Sequence, residues 1–317
     1  MNGKGRKWRK CAAWMLILAL IAALTGCQRL VEPEKQSISV YATFWPVYAL
    51  TDAVMADVPD ATLKLLVQPQ DGCLRSYQLS DWDAALLTAD ADAVILGGRG
   101  LESFENLLFA WGETGPAVSA VLYNLELYNQ DDRADGEAES HLRGANPHLY
   151  LSLNGAKQML ESISASMLSL DPQYAEIYAK NAQSAGERLD SLLEDNRALL
   201  EDCESGSVVL MNEALIYVAR DYGLKVVEWI DRESGDNLVD NELSTCLERL
   251  AATDARVILI ENQAPQPLVE ALEAAGYAVA RLDVLSDRRA DEGFSDYLVI
   301  QAANAHAVKV AFEEAMD

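Results

Sequence analysis

The residues of this 317-residue chain that could do chemistry lie just past the segments that read as strands. That is where open parallel sheets bind ligands, outside the carboxyl ends of their strands. Thr62–Val67 leads to Cys73, Arg75 and Tyr77, and Asn146-Pro147-His148 precedes Leu149. Val208–Met211 leads to Asn212 and Glu213, Val257–Ile260 to Glu261, and Ala278–Leu282 to Asp283. Imidazole and carboxylate are natural donors for a borderline or hard divalent cation. The Arg75 guanidinium has no lone pair and cannot ligate. It is suited to bidentate carboxylate recognition, so Asp283 reads either as a ligand or as the partner of Arg75. Cys73 and His148 could serve a hydrolase or thiol enzyme, but no GxSxG or other nucleophile motif accompanies them. Gly97-Gly98-Arg99-Gly100 lacks GxGxxG spacing and a downstream ribose acid, and reads as a turn.

The elements that must position these residues alternate between the two periodicities. Ile38, Val40 and Ala42 mark a strand from about Ser37, closed by Trp45-Pro46, and Val47 to Ala56 reads as a helix. A second strand (62–67) and a loop at 68–72 follow. Ser80 looks like the N-cap of a helix through Leu87, with Asp81 and Asp83 in its first turn. Ala93 to Leu96 is a short buried strand. Strand, helix and strand at this spacing predict a parallel α/β sheet. Asp171-Pro172 opens a long helical pattern to about Asp202, where Tyr174, Ile177, Tyr178, Ala182, Leu189, Leu192 and Leu193 recur at helical spacing. At 1.5 Å per residue its ~30 residues would span roughly 45 Å. After Ser205-Gly206-Ser207 the α/β pattern restarts. Strands are predicted at 208–211, 225–228, 257–261 and 278–282, with helices at 214–222, 241–253 and 267–275. The fold class is therefore α/β: two lobes with mainly parallel sheets joined by one long α-helix. Its parts are an N-terminal lobe (37–170), a linking helix (171–203) and a C-terminal lobe (204–317).

Composition bounds the partners. Asp plus Glu number 50 against 25 Lys plus Arg, a net charge of −25. Such a field opposes binding to phosphate backbones, which needs clustered cations, so nucleic acid is excluded as a partner. The first 27 residues differ from the rest. Lys4, Arg6, Lys7, Arg9 and Lys10 precede an uncharged apolar run, Ala12 to Leu24, too short for a membrane span and suited to a signal peptide. Leu24-Thr25-Gly26-Cys27 resembles a bacterial lipobox, which implies a lipidated Cys27, a tether over 28–36 and an extracytoplasmic location at the cell membrane. Cleavage before Cys27 removes five basic residues and no acidic one, taking the charge from −25 to −30. Three cysteines remain, Cys73, Cys203 and Cys246, an odd number with no CxxC or Cys/His zinc pattern. Residues 129–146 read as a solvated acidic loop.

Six motifs in order resemble one family. They are Val40-Tyr41-Ala42-Thr43-Phe44-Trp45-Pro46; Ser76-Tyr77 with the helix from Ser80; Asn146-Pro147-His148-Leu149-Tyr150-Leu151; Asp171-Pro172 to Tyr178 and Asn181; Ala214 to Tyr217 with Tyr222-Gly223-Leu224; and Leu282-Asp283. Together they cover roughly 38 to 315. The chain resembles the substrate-binding lipoproteins of zinc and manganese ABC importers, the group with a rigid backbone helix. The resemblance implies a receptor and not an enzyme, a monomer with an ABC permease as partner, and no catalytic cofactor. It also implies one divalent ion, zinc or manganese, held between the lobes by four side chains: three His, or two His and a Glu, with an Asp as the fourth. His148 matches the second ligand and Asp283 the fourth. Arg75 stands where the first His is expected and Asn212 where the third ligand is. The family's His-rich loop corresponds to 124–146, which holds only His141. Cys73 could replace a ligand as thiolate, and Glu261 would hydrogen-bond behind the site. A fixed Arg75 charge would repel a cation at close range by several kcal/mol at an effective dielectric of ~20. The alternative is a diverged receptor that recognises a zwitterion, an anion or a metal chelate through Arg75 and Asp283.

Overall fold

Alternating apolar residues form two four-stranded parallel sheets among the described residues. A computed structural model describes residues 38–68, 74, 77–128, 145–230, 232, 238, 240–286 and 291–316. Cys27 with the signal and tether, Cys73, Arg75 and most of the acidic loop (129–144) lie outside them. The first sheet holds β1 (Ile38–Ala42), β2 (Ala61–Leu65), β3 (Ala93–Leu96) and β4 (Ala117–Ala120), in the order β2-β1-β3-β4. The second holds β5 (Ser207–Leu210), β6 (Lys225–Trp229), β7 (Val257–Glu261) and β8 (Ala278–Leu282), in the order β6-β5-β7-β8. All paired strands run parallel. The chain reverses direction of winding between β1 and β3, and again between β5 and β7. Each lobe thus has a crevice at the carboxyl ends of its central strands.

Side-chain alternation divides each sheet between two cores. Val40, Ala42, Ala93 and Ile95 face a central cluster shared with Val208, Leu210, Val257 and Leu259 of the other lobe. Tyr41, Val94 and Leu96 face an outer cluster, as do Val209, Ile258 and Ile260 on their side. The central layer contains α1 (Trp45–Met55), α4 (Leu153–Leu170), α5 (Ala175–Leu199) and α9 (Phe294–Glu314). Between α1 and α4 lie α2 (Asp81–Asp90) and α3 (Glu105–Ala110). Between α5 and α9 lie α6 (Ile216–Asp221), α7 (Asp240–Ala251) and α8 (Gln266–Ala274).

The long helical pattern read over 171–202 is α-helical over Ala175–Leu199, with single 3-10 turns at Pro172–Tyr174 and Glu201–Cys203. Its α-helical part is about 38 Å long. Near one end, Asn181 Nδ2 donates to the carbonyls of Val54 and Ala56 at 3.1 and 2.7 Å, which satisfies the open end of α1. Near the other, Arg197 Nε donates to the Asp221 carbonyl at 2.8 Å, and Asn196 Nδ2 to the Tyr222 hydroxyl at 3.0 Å. The helix is bonded to both lobes.

The structure departs from the sequence reading in several places. Helix α1 starts at Trp45, with Pro46 in its first turn, where these two residues were expected to close a strand. Proline is tolerated there because that N–H has no intrahelical acceptor. Strand β2 covers Ala61–Leu65 and not 62–67. Helix α2 runs on to Asp90, with the expected N-cap Ser80 completed into a capping box by Asp83. The edge strand β4 and the C-terminal helix α9 were not anticipated.

Candidate functional site

His148 ends the Asn-Pro-His segment and caps a 3-10 turn, Leu149–Leu151. Its Nδ1 lies 2.8 Å from Asn146 Oδ1, which also accepts the His148 backbone N–H at 3.1 Å. Asn146 is fully buried, and its Nδ2 donates to the Glu213 carbonyl at 2.9 Å. That contact fixes the amide with its oxygen toward the imidazole. Nδ1 therefore carries the proton in the neutral ring, and Nε2 carries the lone pair. The Asn146 main chain is held as well, by Tyr217 OH donating to its carbonyl at 2.6 Å and by its N–H donating to Tyr128 O at 2.8 Å. The Tyr150 ring meets His148 edge-on at 5.8 Å.

Asn212 follows β5 by two residues and caps the 3-10 turn Glu213–Leu215, its Oδ1 accepting the Ala214 N–H at 2.9 Å. Because Asn146 bonds the carbonyl of Glu213, the His148 turn and the Asn212 loop are joined by one side chain. Asp283 follows β8 directly. Its Oδ1 accepts the Leu285 N–H at 2.8 Å. Its own N–H donates to Asn304 Oδ1 at 2.8 Å, and its carbonyl accepts from Asn304 Nδ2 at 2.9 Å. All three candidates are half-buried. Among the described residues no three His, Cys, Asp or Glu side chains form a group that could hold a metal ion.

Glu261 ends β7, fully buried, in an ion pair with Arg232, whose side chain is equally buried. Taking two charges from water costs several kcal/mol per ion unless the pair is well made, so Glu261 is committed to Arg232. Arg75 and Cys73 are outside the described residues, but their flanks are placed. Leu74 packs against the core, and the Tyr77 ring meets Phe104 edge-on at 5.7 Å while its hydroxyl donates to Asp83 at 2.8 Å.

A buried acid beside the Gly97–Gly100 turn was missed. Glu102 lies at the N-lobe crevice, fully buried, accepting from Thr43 Oγ1 at 2.6 Å and from the Gly97 and Gly98 N–H groups at 2.8 and 2.9 Å. Burial pushes its carboxyl above the usual range, against three donors that pull it down. It holds the Gly97–Gly100 turn. There Gly98 has φ of +83°, and a Cβ would lie 2.9 Å from that of Ala120, so only glycine fits. The sequence signal was an acid just past a Gly-rich turn at a strand end.

A family model described as "ZnuA: Zinc-uptake complex component A periplasmic" matches residues 40–311. The chain belongs to the ZnuA family. This ZnuA-family chain is 25% identical over 313 residues to the zinc-binding lipoprotein AdcA of Streptococcus pneumoniae, covering 93% of itself and 60% of AdcA. It thus spans about three fifths of that relative's length. It is 23% identical over 322 residues to the high-affinity zinc uptake system protein ZnuA of Bacillus subtilis, covering 96% and 97% of the two chains. Among solved structures it is similar to FpvC of Pseudomonas aeruginosa in complex with Mn2+, with TM-score 0.75, 23% identity and coverage of 88% and 99%. It is also similar to Zn(II)-bound AdcA of Streptococcus pneumoniae, with TM-score 0.72, 24% identity and coverage of 87% and 57%. These structures share the fold of two parallel-sheet α/β lobes and a long helix. The family resemblance drawn from the six motifs is thereby established.

Proposed function

We propose that this ZnuA-family chain is the substrate-binding component of an ABC importer, exported and tethered through a lipidated Cys27, that carries a divalent metal ion between its lobes. Zinc or manganese is the cargo, and a permease reads the loaded form. One observation carries the reading: the His148 imidazole is fixed by a buried amide with Nε2 as its lone-pair nitrogen. A metal-ligating His is held in this way, by an acceptor on its other ring N–H that sets tautomer and orientation. Asp283 would add a carboxylate oxygen, and Asn212 a neutral carbonyl oxygen that already accepts one hydrogen bond. Two full donors and a carbonyl make a weaker site than the four-ligand tetrahedron zinc prefers.

The commitment of Asn212 to its turn, with arginine at position 75, favours a second reading. Here Arg75 and Asp283 recognise a zwitterion, an anion or a metal chelate, and free metal is not the cargo. The deciding experiment titrates zinc and manganese into chelator-stripped protein, by competition against a fluorescent chelator at fixed pH, because the imidazole must be neutral to bind. Saturable binding that His148→Ala and Asp283→Ala each weaken measurably supports the metal reading. No binding of either ion sinks it and leaves the second.

A further inference from the structure

The buried face of α9 carries hydrogen-bonding side chains beside its apolar Phe294, Ala305, Val308 and Ala311, where a helix packed on a core is ordinarily apolar throughout. Tyr297, Gln301 and Asn304 stand at i, i+4 and i+7, one stripe of one face, and each is at most 3% exposed. Buried polar groups of this kind are costly unless bonded, and each of these reaches main chain. Tyr297 OH donates to the Tyr150 carbonyl at 2.7 Å. Gln301 Nε2 donates to the Tyr297 hydroxyl at 2.9 Å and to the Leu151 carbonyl at 3.3 Å. Asn304 takes both the N–H and the carbonyl of Asp283.

The carbonyls so used explain why the stripe is polar. In the 3-10 turn after His148, the His148 and Leu149 carbonyls accept from Leu151 and Ser152 N–H, each at 3.0 Å. The next two carbonyls, of Tyr150 and Leu151, accept from Tyr297 and Gln301. The helix is also fixed at its start to the first lobe. Trp45 Nε1 of α1 donates to the Glu292 carbonyl at 2.8 Å, and Asp52 Oδ2 accepts the Phe294 N–H at 3.2 Å. Helix α9 follows the second lobe in sequence, yet its first two turns are bonded to the first. About 10 Å of helix separates Tyr297 from Asn304 along the axis.

We propose that this stripe is a positioning device: it holds the His148 turn and the Asp283 strand end at a set separation before any ligand arrives. Tyr297 and Asn304 then govern affinity without touching the ligand. The inference rests on the reading that His148 and Asp283 contact it.

The test has two arms on the full chain. The first is a double-mutant cycle in zinc affinity, measured by chelator competition. Asn304→Ala weakens binding by about tenfold or more, as loss of outer partners does at metal sites. It has no further effect once Asp283 is alanine, and Tyr297→Phe behaves likewise against His148→Ala. A general structural defect would instead lower affinity by the same factor in both backgrounds, and that result overturns the proposal. The second arm needs no metal. Amide hydrogen exchange at Asp283 speeds up in Asn304→Ala while the Ala280 amide within β8 keeps its protection, which also shows that the variant is folded. Unchanged exchange at Asp283 overturns the proposal. If the wild type takes up no zinc, the metal reading falls, and the exchange arm alone decides whether Asn304 positions Asp283.

Discussion

At the scale of single residues, the orientation of His148 depends on Asn146. Replacing Asn146 with alanine removes its hydrogen bonds to the Glu213 carbonyl and to the imidazole Nδ1–H. Loss of buried hydrogen bonds of this kind costs about 1–3 kcal/mol, read as a lower denaturant midpoint. If His148 is a ligand, the same change weakens zinc binding by about 10–100-fold. A loss of stability with affinity untouched would make Asn146 a structural residue only. Charge gives a second expectation. Arg75→His removes a fixed cation and adds a donor, and Asn212→His added to it completes a set of three His and one Asp. The double variant should bind zinc more tightly than the wild type by roughly 3 kcal/mol or more, since each ten-fold is worth about 1.4 kcal/mol. Tight wild-type binding that Arg75→His leaves unchanged would show that position 75 is not at the site. Asp283 stood out in the sequence because it follows a strand segment, and His148 because its Asn-Pro-His-Leu-Tyr-Leu motif resembles the family's. The supporting residues did not. An Asn or Glu reads the same whether solvated or buried, and the Arg232 partner of Glu261 lies 29 residues away in the chain.

At the scale of elements, α5 connects bonds to both lobes, so its continuity can be tested apart from its packing. Ser184 is exposed near the middle of this helix. Proline there removes a backbone hydrogen bond and clashes with the preceding turn, for a loss of about 3 kcal/mol or more. Ser184→Ala should be neutral or slightly stabilising, because alanine is the better helix former. Equal midpoints for the two variants in chemical denaturation would count against α5 as a rigid connection. The turn after His148 has its own constraint. A Cβ on Gly155 would lie 2.4 Å from the Leu149 carbonyl oxygen, so Gly155→Ala must push this turn out of place. Overpacking of that kind costs about 1–3 kcal/mol. Most strands were legible because inward residues alternate with outer ones, as Val40 and Ala42 do with Tyr41. Strand β4 was not, since Ala117–Ala120 is a short, partly exposed edge segment. Helix α9 was not, because its buried face carries Tyr297, Gln301 and Asn304 while Val299 is 68% exposed. Apolar periodicity is weakened in a helix whose inner face mixes Phe294, Ala305, Val308 and Ala311 with groups bonded to two other segments' main chain.

At the scale of the whole molecule, charge and architecture act on the same cleft in opposite senses. Both sheets have the same winding, so each lobe offers a crevice, and one long helix with α9 bonds the two lobes together. Around that frame lies a net charge of −25, or −30 without residues 1–26. Such a field raises the encounter rate of a cation, and it does so only over the reach that salt permits. If Arg75 lies at the site, as the family resemblance implies, it would oppose the same cation at short range, where screening is weak. The two contributions separate by ionic strength. Raising it from about 0.01 M to about 0.15 M shrinks the Debye length from about 30 Å to about 8 Å. The association rate of zinc, followed by stopped flow, should fall several-fold over that range, while its dissociation rate stays nearly constant. If Arg75 is at the site, Arg75→Gln should raise the association rate at both ionic strengths, because the local repulsion it would remove is little screened. An association rate indifferent to salt would show that the surface acids do not reach the cleft, and that their number serves solubility alone.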